Sequence, residues 1–181
     1  MSDSGTSPRF WGKYRGTVTI NLDPDNRGRI QVMVPDVLGE LPSSWAECCA
    51  PVSGMTGAAS GVFLVPPVGA AVWVEFEHGD PNKPIWTGGR WENTADVPPL
   101  AIAPPPIPPG QNFAIQTTLQ NLVLVSDAAP TPATGGIVLK SATNAMLVVN
   151  DSGIYINNGK GAMITLVGPT VTINNGALVV I

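Results

Sequence analysis

Apolar residues alternate with other residues in several short runs between Lys13 and Gly89. The alternating positions are Tyr14, Gly16, Val18 and Ile20, then Ile30, Val32 and Val34, then Val72, Val74 and Phe76. This period of two is typical of β-strands, and no segment shows a helical period. The turn-forming stretches DPDNRG and GDPNKP separate the runs. The pattern predicts an all-β barrel or sandwich of about five short strands, with the first two runs paired as a hairpin.

A proline-rich stretch interrupts this pattern. Residues 98–109 read PPLAIAPPPIPP, with seven prolines in twelve positions. Proline lacks a backbone donor and favours the extended polyproline II conformation, so this stretch predicts a stiff spacer. We therefore divide the chain into an N-terminal arm (1–12), a barrel domain (13–97), a Pro-rich linker (98–110) and a second β domain (111–181).

Beyond the linker, short apolar triplets recur at nearly regular spacing, with Asn, Asp, Gly and Pro between them. The triplets are Ile137-Val138-Leu139, Leu147-Val148-Val149, Ile154-Tyr155-Ile156, Ile164-Thr165-Leu166, Val171-Thr172-Ile173 and Val179-Val180-Ile181. Gly and Asn tolerate the positive φ that a sharp corner requires. A repeat of short strand and corner predicts a β-helix or β-prism.

The last 29 residues, 153–181, contain one charged residue, Lys160, and are too few to fold around a core of their own. The first and third residues of each triplet point to the same face of a strand. Three chains around a common axis could bury that face, each forming one side of a triangular prism. The predicted trimer core is Ile154, Ile156, Ile164, Leu166, Val171 and Ile173. An ordinary single-chain sandwich remains the alternative.

Charge is distributed unevenly and narrows the classes of function. Residues 1–97 carry seven Lys and Arg against eleven Asp and Glu, and the rest of the chain carries two of each. A long basic surface for nucleic acid is not expected, because phosphate binding depends on clustered cations. The N-terminus shows no apolar run typical of a secretory signal, so we expect assembly in the cytoplasm. The stretch 61–74 contains Pro66-Pro67 and is shorter than the roughly 20 residues that span a bilayer.

Candidate chemical groups are few. Cys48 and Cys49 are adjacent and lie outside any C-x-x-C spacing, so we interpret them as reduced structural residues. Glu75 and Glu77 are predicted on one strand face about 7 Å apart, a distance compatible with glycoside hydrolysis, but a solvated strand face explains them equally well. His78 is a lone histidine in a tight turn. We expect no enzymatic activity, no cofactor and no metal.

Two motifs follow each other in the barrel segment, about 40 residues apart. Asp23 to Pro35 fits D-x-x-x-x-G-R-[IV]-x-V-x-[VF]-P, and Val72 to Pro84 fits V-x-V-x-F-x-x-G-D-P-x-x-P. Over roughly residues 10–92 the chain resembles the oligonucleotide/oligosaccharide-binding (OB) domain of phage baseplate central-spike proteins, also called baseplate assembly protein V, and of VgrG spikes. The resemblance implies an N-terminal OB-type five-stranded barrel followed by a C-terminal intertwined trimeric triangular β-helix, the needle.

The family resemblance also implies a function. It implies a structural central spike of a contractile injection machine, a phage tail or a phage-derived particle, that contacts the target-cell membrane transiently. No room exists between barrel and needle for the lysozyme domain of some family members. His78 is the only histidine, so an iron-binding tip of clustered histidines is not expected. About ten residues precede the barrel, so the hub is expected to be a separate protein.

The expected contacts are with proteins. Contact with the hub or a neighbouring subunit is assigned to Phe10, Trp11, Lys13, Arg15, Arg27 and Arg29. A conical PAAR-type tip protein is expected on the apolar end of the needle, at Leu178, Val179, Val180 and Ile181. Two alternatives are a trimeric carbohydrate-binding tail fibre or adhesin, and an OB-fold module that binds nucleic acid. The scarcity of aromatic residues beyond Trp91 disfavours the first, and the acidic balance of the barrel segment disfavours the second.

Overall fold

A computed structural model describes residues 8–102, 112–127 and 135–180. The chain divides into two compact units, Met1–Glu92 and Asn93–Ile181. Both units consist of β-strands joined by turns, which confirms the predicted all-β class. No helix within the described ranges is long and apolar enough to cross a membrane. The finer domain boundaries drawn from the sequence stay a prediction.

The first unit is a curled five-stranded sheet in the order β2-β1-β4-β5-β3. Its strands are β1 (Tyr14–Ile20), β2 (Gln31–Met33), β3 (Glu47–Cys48), β4 (Ala71–Phe76) and β5 (Pro84–Gly89). Strands β1 and β2 form the predicted hairpin, and only β3 and β5 pair in parallel. The backbones of Ile30 and Ala46 exchange two hydrogen bonds of 3.2 and 2.7 Å, which connect the two ends of the strand order. This is the strand arrangement expected of a small barrel.

The core of the first unit follows the alternating pattern. Val18, Ile30, Val32, Val72 and Val74 are at most 1% exposed. These are the positions that the period of two placed on one face. Burial of these side chains gives the first unit a core of its own.

Three local predictions were wrong. A single helical turn, α1 (Pro35–Leu38), forms where no helix was expected, because proline favours the first helical position.

The start of the linker forms a 3₁₀ turn at Pro99–Ala101 rather than an extended chain, and residues 103–110 lie outside the described residues. Strand β4 ends at Phe76, because His78 and Gly79 have φ angles of 52° and 71° that turn the chain. Glu75 and Glu77 therefore do not share a strand face.

The second unit is an eight-stranded sheet in which each strand pairs antiparallel with its neighbours in sequence. Its strands are β6 (Asn112–Gln116), β7 (Leu122–Ser126), β8 (Gly136–Lys140), β9 (Met146–Asn150), β10 (Gly153–Asn157), β11 (Met163–Val167), β12 (Thr170–Ile173) and β13 (Leu178–Val180). The short strands and corners agree with the repeat found in the sequence. All strands in the described part of this unit lie in one sheet, which gives no support to a single-chain sandwich.

Candidate trimer interface

Matched register arranges the side chains of the second unit in columns that run across the strands. Ile154, for example, lies opposite Leu166 on one neighbouring strand and Val149 on the other. Two columns on the same face consist entirely of Phe, Ile, Leu and Val; we call them the apolar face. The first is Phe113, Val125, Ile137, Val149, Ile154, Leu166 and Val171, and the second is Ile115, Val123, Leu139, Leu147, Ile156, Ile164, Ile173 and Leu178.

Most of the apolar face is open to solvent in the single chain. Twelve of its side chains are 36% to 57% exposed, and Phe113 is the most exposed of them. Strands lie about 4.8 Å apart and alternate residues about 7 Å apart, so eight strands give a strip roughly 33 Å long and two side chains wide. A continuous apolar strip of this size marks an interaction surface.

The opposite side of the same sheet, which we call the reverse face, is covered in its first four strands. Leu122, Leu124, Val138 and Val148 are at most 4% exposed. Leu100, from the turn at the start of the linker, packs against this cluster. The single chain therefore covers part of its reverse face and leaves its apolar face open.

Glycine and asparagine corners hold the strands in register. Gly153 has a φ of 154°, and a Cβ atom there would lie 2.2 Å from the carbonyl oxygen of Leu166. The side-chain oxygen of Asn150 accepts hydrogen bonds from the backbone N–H groups of Ser152 and Gly153, at 3.0 and 3.1 Å. These contacts end β9 and start β10 at defined residues, which keeps the columns aligned.

The predicted trimer-core residues lie together on the apolar face. Ile154, Ile156, Ile164 and Leu166 are 36% to 45% exposed, and Val171 and Ile173 are half-buried. Their burial in a trimer stays a prediction. The sequence interpretation left out the same face of β6–β9, where the triplets 113–115 and 123–125 are apolar at all three positions and do not identify a face by alternation.

Strand β13 lies at the edge of the sheet and contains three of the four residues predicted to bind a tip protein. Leu178 is 53% exposed. Val179 and Val180 pair with Thr172 and Val171 of β12. The fourth residue, Ile181, lies outside the described residues.

The DPDNRG turn of the first unit is held by the buried carboxylate of Asp23. Its oxygens accept hydrogen bonds from the backbone N–H groups of Asp25, Arg27 and Arg29, at 3.0, 2.8 and 3.2 Å. The Arg29 guanidinium lies 2.6 Å from Asp23 Oδ1 and stacks over the ring of Trp45. The hydrogen bond from Arg29, together with the backbone donors, holds the pKa of Asp23 well below its usual range although burial opposes this shift. The first sequence motif is therefore a structural clasp.

Among the residues predicted to contact the hub or a subunit, Phe10 and Arg29 make contacts within the barrel unit itself. The Phe10 ring packs 6.2 Å from the rings of both Tyr14 and Phe76. The Arg29 side chain is 13% exposed and holds the clasp. Trp11, in contrast, is 68% exposed.

The other three predicted contact residues lie on the surface of the barrel unit. Lys13 Nζ lies 3.0 Å from a carboxylate oxygen of Glu75, and Arg27 lies 2.9 Å from Glu47. Arg15 is exposed on β1. The structure thus distributes the six predicted contact residues between the inside and the surface of the unit.

The candidate chemical groups do not form a reactive site. Glu75 is paired with Lys13, and His78 is 82% exposed in its turn. Cys48 and Cys49 are free thiols, and burial, followed by the neighbouring Cys49 and Glu47, raises the pKa of Cys48. Within the described ranges, no group of three or more His, Cys, Asp or Glu could hold a metal ion.

Two protein families match the two units. Residues 14–91 match the type VI secretion system/phage-baseplate injector OB domain. Residues 112–179 match the phage baseplate V C-terminal trimerisation domain, a range that contains β6 through β12 and the start of β13. The apolar face lies within the part of the chain that matches a trimerisation domain.

A curated relative matches a shorter stretch. The actin cross-linking toxin VgrG1 of Vibrio cholerae serotype O1 is 33% identical to this chain over 79 residues, which is 43% of this chain. The matched region spans 7% of the length of that toxin. The similarity therefore concerns one domain-sized part of a much longer protein.

Proposed function

Because the chain belongs to the family of phage-baseplate V and VgrG-like spike proteins, we propose that it is the central spike that joins the hub of a contractile injection machine to a needle tip. The two matched domains are structural parts of spikes in phage baseplates or type VI injection machines, whereas the toxin relative extends far beyond the matched region. The second unit makes the protein a homotrimer. The observation that carries the finer proposal is the continuous apolar face of that unit.

The magnitude of the exposed apolar surface supports burial between chains. Twelve side chains of this face are 36% to 57% exposed in one chain. At roughly 2 kcal/mol for a whole buried side chain, covering this surface contributes on the order of 10 kcal/mol per chain before the cost of association. This is comparable to the total stability of a typical domain. In this proposal, much of the stability of the needle comes from the contact between its three chains.

The ends of the spike receive different partners in this proposal. Trp11 and Arg15 are exposed on the barrel unit and form part of the contact with a hub protein or a neighbouring subunit, as do the exposed residues Lys13 and Arg27. A PAAR-type tip protein binds at the edge strand β13, which contains Leu178, Val179 and Val180. The spike assembles in the cytoplasm and becomes part of the particle.

The work of the spike is mechanical. Intertwined chains share one apolar core, so local yielding under axial load would require separating all three chains. Residues 153–180 carry one charge, Lys160, which leaves little charge to desolvate when the needle contacts a membrane. Particles lacking this chain should lose delivery of genome or cargo; normal delivery would contradict the membrane-piercing function.

The test of the interface is a matched pair of charged substitutions on β11. Ile164→Asp places three like charges near the trimer axis, whereas Thr165→Asp places a charge on the reverse face. We expect light scattering to give one-third of the trimer mass for Ile164→Asp and an intact trimer for Thr165→Asp. A trimer of normal stability for Ile164→Asp would refute this assignment of the core.

A further inference from the structure

The reverse face changes its character halfway along the sheet. In its central column, the residues from β6 to β9 are Ala114, Leu124, Val138 and Val148. The same column continues in β10 to β12 with Tyr155, Thr165 and Thr172. The column is thus apolar in the first four strands and bears hydroxyl groups in the next three.

Burial changes at the same place. Leu122, Leu124, Val138 and Val148 of β7 to β9 are at most 4% exposed in the single chain. Between Val149 and Leu178, no residue is buried. The first four strands, which we call the base, have an apolar core before any second chain is added. Strands β10 to β13, which we call the distal strands, have none.

Apart from Tyr155, which packs against the cluster of the base, the distal strands therefore depend on the apolar face for their apolar burial. A sheet with one uncovered apolar face and one polar face removes little apolar surface from water, so its strands gain little hydrophobic stabilisation. The distal part of the apolar face contains Ile154, Ile156, Ile164 and Leu166, each 36% to 45% exposed in one chain. These side chains become buried only when something covers that face.

We propose that the trimer contact has two unequal parts: a base (β6–β9) that is formed in each chain, and distal strands (β10–β13) that become ordered only when two further copies of the same strands cover them. This inference rests on the proposed trimeric spike. The partner is a second copy because the apolar columns continue without a break from the base into the distal strands, all within the match to a trimerisation domain. Trimer formation then starts at the base and proceeds towards β13.

Hydrogen exchange on the full-length chain tests this order of assembly. A substitution in the base is used to measure the distal strands, and a substitution in the distal strands is used to measure the base. Ile137→Asp changes the base at a side chain that is 46% exposed in one chain, and Ile164→Asp changes the distal strands at one that is 36% exposed. Amide protection is measured by mass spectrometry at concentrations where each variant sediments as a monomer. Thr165→Asp, expected to remain a trimer, is the control with protection in both halves.

The expected result is asymmetric. In monomeric Ile137→Asp, the distal strands lose protection completely although their sequence is unchanged. In monomeric Ile164→Asp, the base keeps protection of at least about tenfold over the free chain. Protected distal strands in monomeric Ile137→Asp, or an unprotected base in monomeric Ile164→Asp, would overturn the inference and leave the trimeric spike intact. If Ile164→Asp stays trimeric at every concentration, the assignment of the apolar face as the trimer core fails, and this inference fails with it; a wild-type chain that sediments as a monomer would instead contradict the proposed function.

Discussion

Replacing Ile164 by alanine tests how much the apolar face contributes to the trimer. In one chain the Ile164 side chain is 36% exposed, so about a third of its surface remains for other chains to cover. Full burial of such a side chain is worth roughly 1.5–3 kcal/mol, and the remaining third about 0.5–1 kcal/mol per chain. Three copies give about 1.5–3 kcal/mol per trimer. At 1.4 kcal/mol per tenfold change, the trimer dissociation constant should rise roughly 10- to 150-fold.

The assay is sedimentation of full-length protein over a dilution series, which gives the fraction of trimer at each concentration. The control is Thr165→Ala, because Thr165 is the next residue and lies on the reverse face. Loss of a threonine methyl and hydroxyl on that face should leave the dissociation constant nearly unchanged. An effect of Thr165→Ala equal to or larger than that of Ile164→Ala would show that the faces are assigned the wrong way round.

Two further predictions concern the turns that hold the units together. Because the folded-state pKa of Asp23 lies below its unfolded value near 4, its contribution is present above about pH 4 and is lost as the pH falls below that. Urea unfolding followed by tryptophan fluorescence should show a smaller loss of barrel stability on acidification in Asp23→Asn than in wild type; equal losses would exclude the clasp as the cause. Gly153→Ala should lower the melting temperature of the needle more than Gly168→Ala, because a Cβ at Gly153 meets the Leu166 carbonyl and one at Gly168 meets nothing within 4 Å.

The strands of the barrel unit could be predicted where one face of the strand is buried and the other is more exposed. Val72, Val74 and Phe76 alternate with more exposed residues, and the period of two identified all three as core. The two-residue strand β3 was not predictable, because Glu47 and Cys48 are too few to show a period. Its position follows from the backbone hydrogen bonds beside it and from parallel pairing with β5.

The sequence shows the motif that contains Asp23 and Arg29, but it does not show that these two side chains bind each other. The spacing from Asp23 to Arg29 fits a family motif, and Arg29 was assigned to a protein contact because the acidic balance of the barrel segment disfavours a nucleic-acid surface. In the folded chain the turn brings the Arg29 guanidinium back onto the Asp23 carboxylate. Only the three-dimensional path of the turn shows that this charge is neutralised within the unit.

The composition of the triplets explains why the predicted trimer core began at Ile154. In Ile154-Tyr155-Ile156 the middle residue is amphipathic, and in the next two triplets it is threonine, so one face is plainly the apolar one. In Ile137-Val138-Leu139 all three residues are apolar, and a period of two cannot choose a face. The structure resolves this, because Val138 is 4% exposed within its own chain whereas Ile137 and Leu139 are 46% and 44% exposed. From β8 to β12, a triplet that is apolar throughout therefore belongs to a strand whose reverse face is covered by its own chain, and a triplet with a hydroxyl group in the middle belongs to a strand that depends mainly on other chains for its burial.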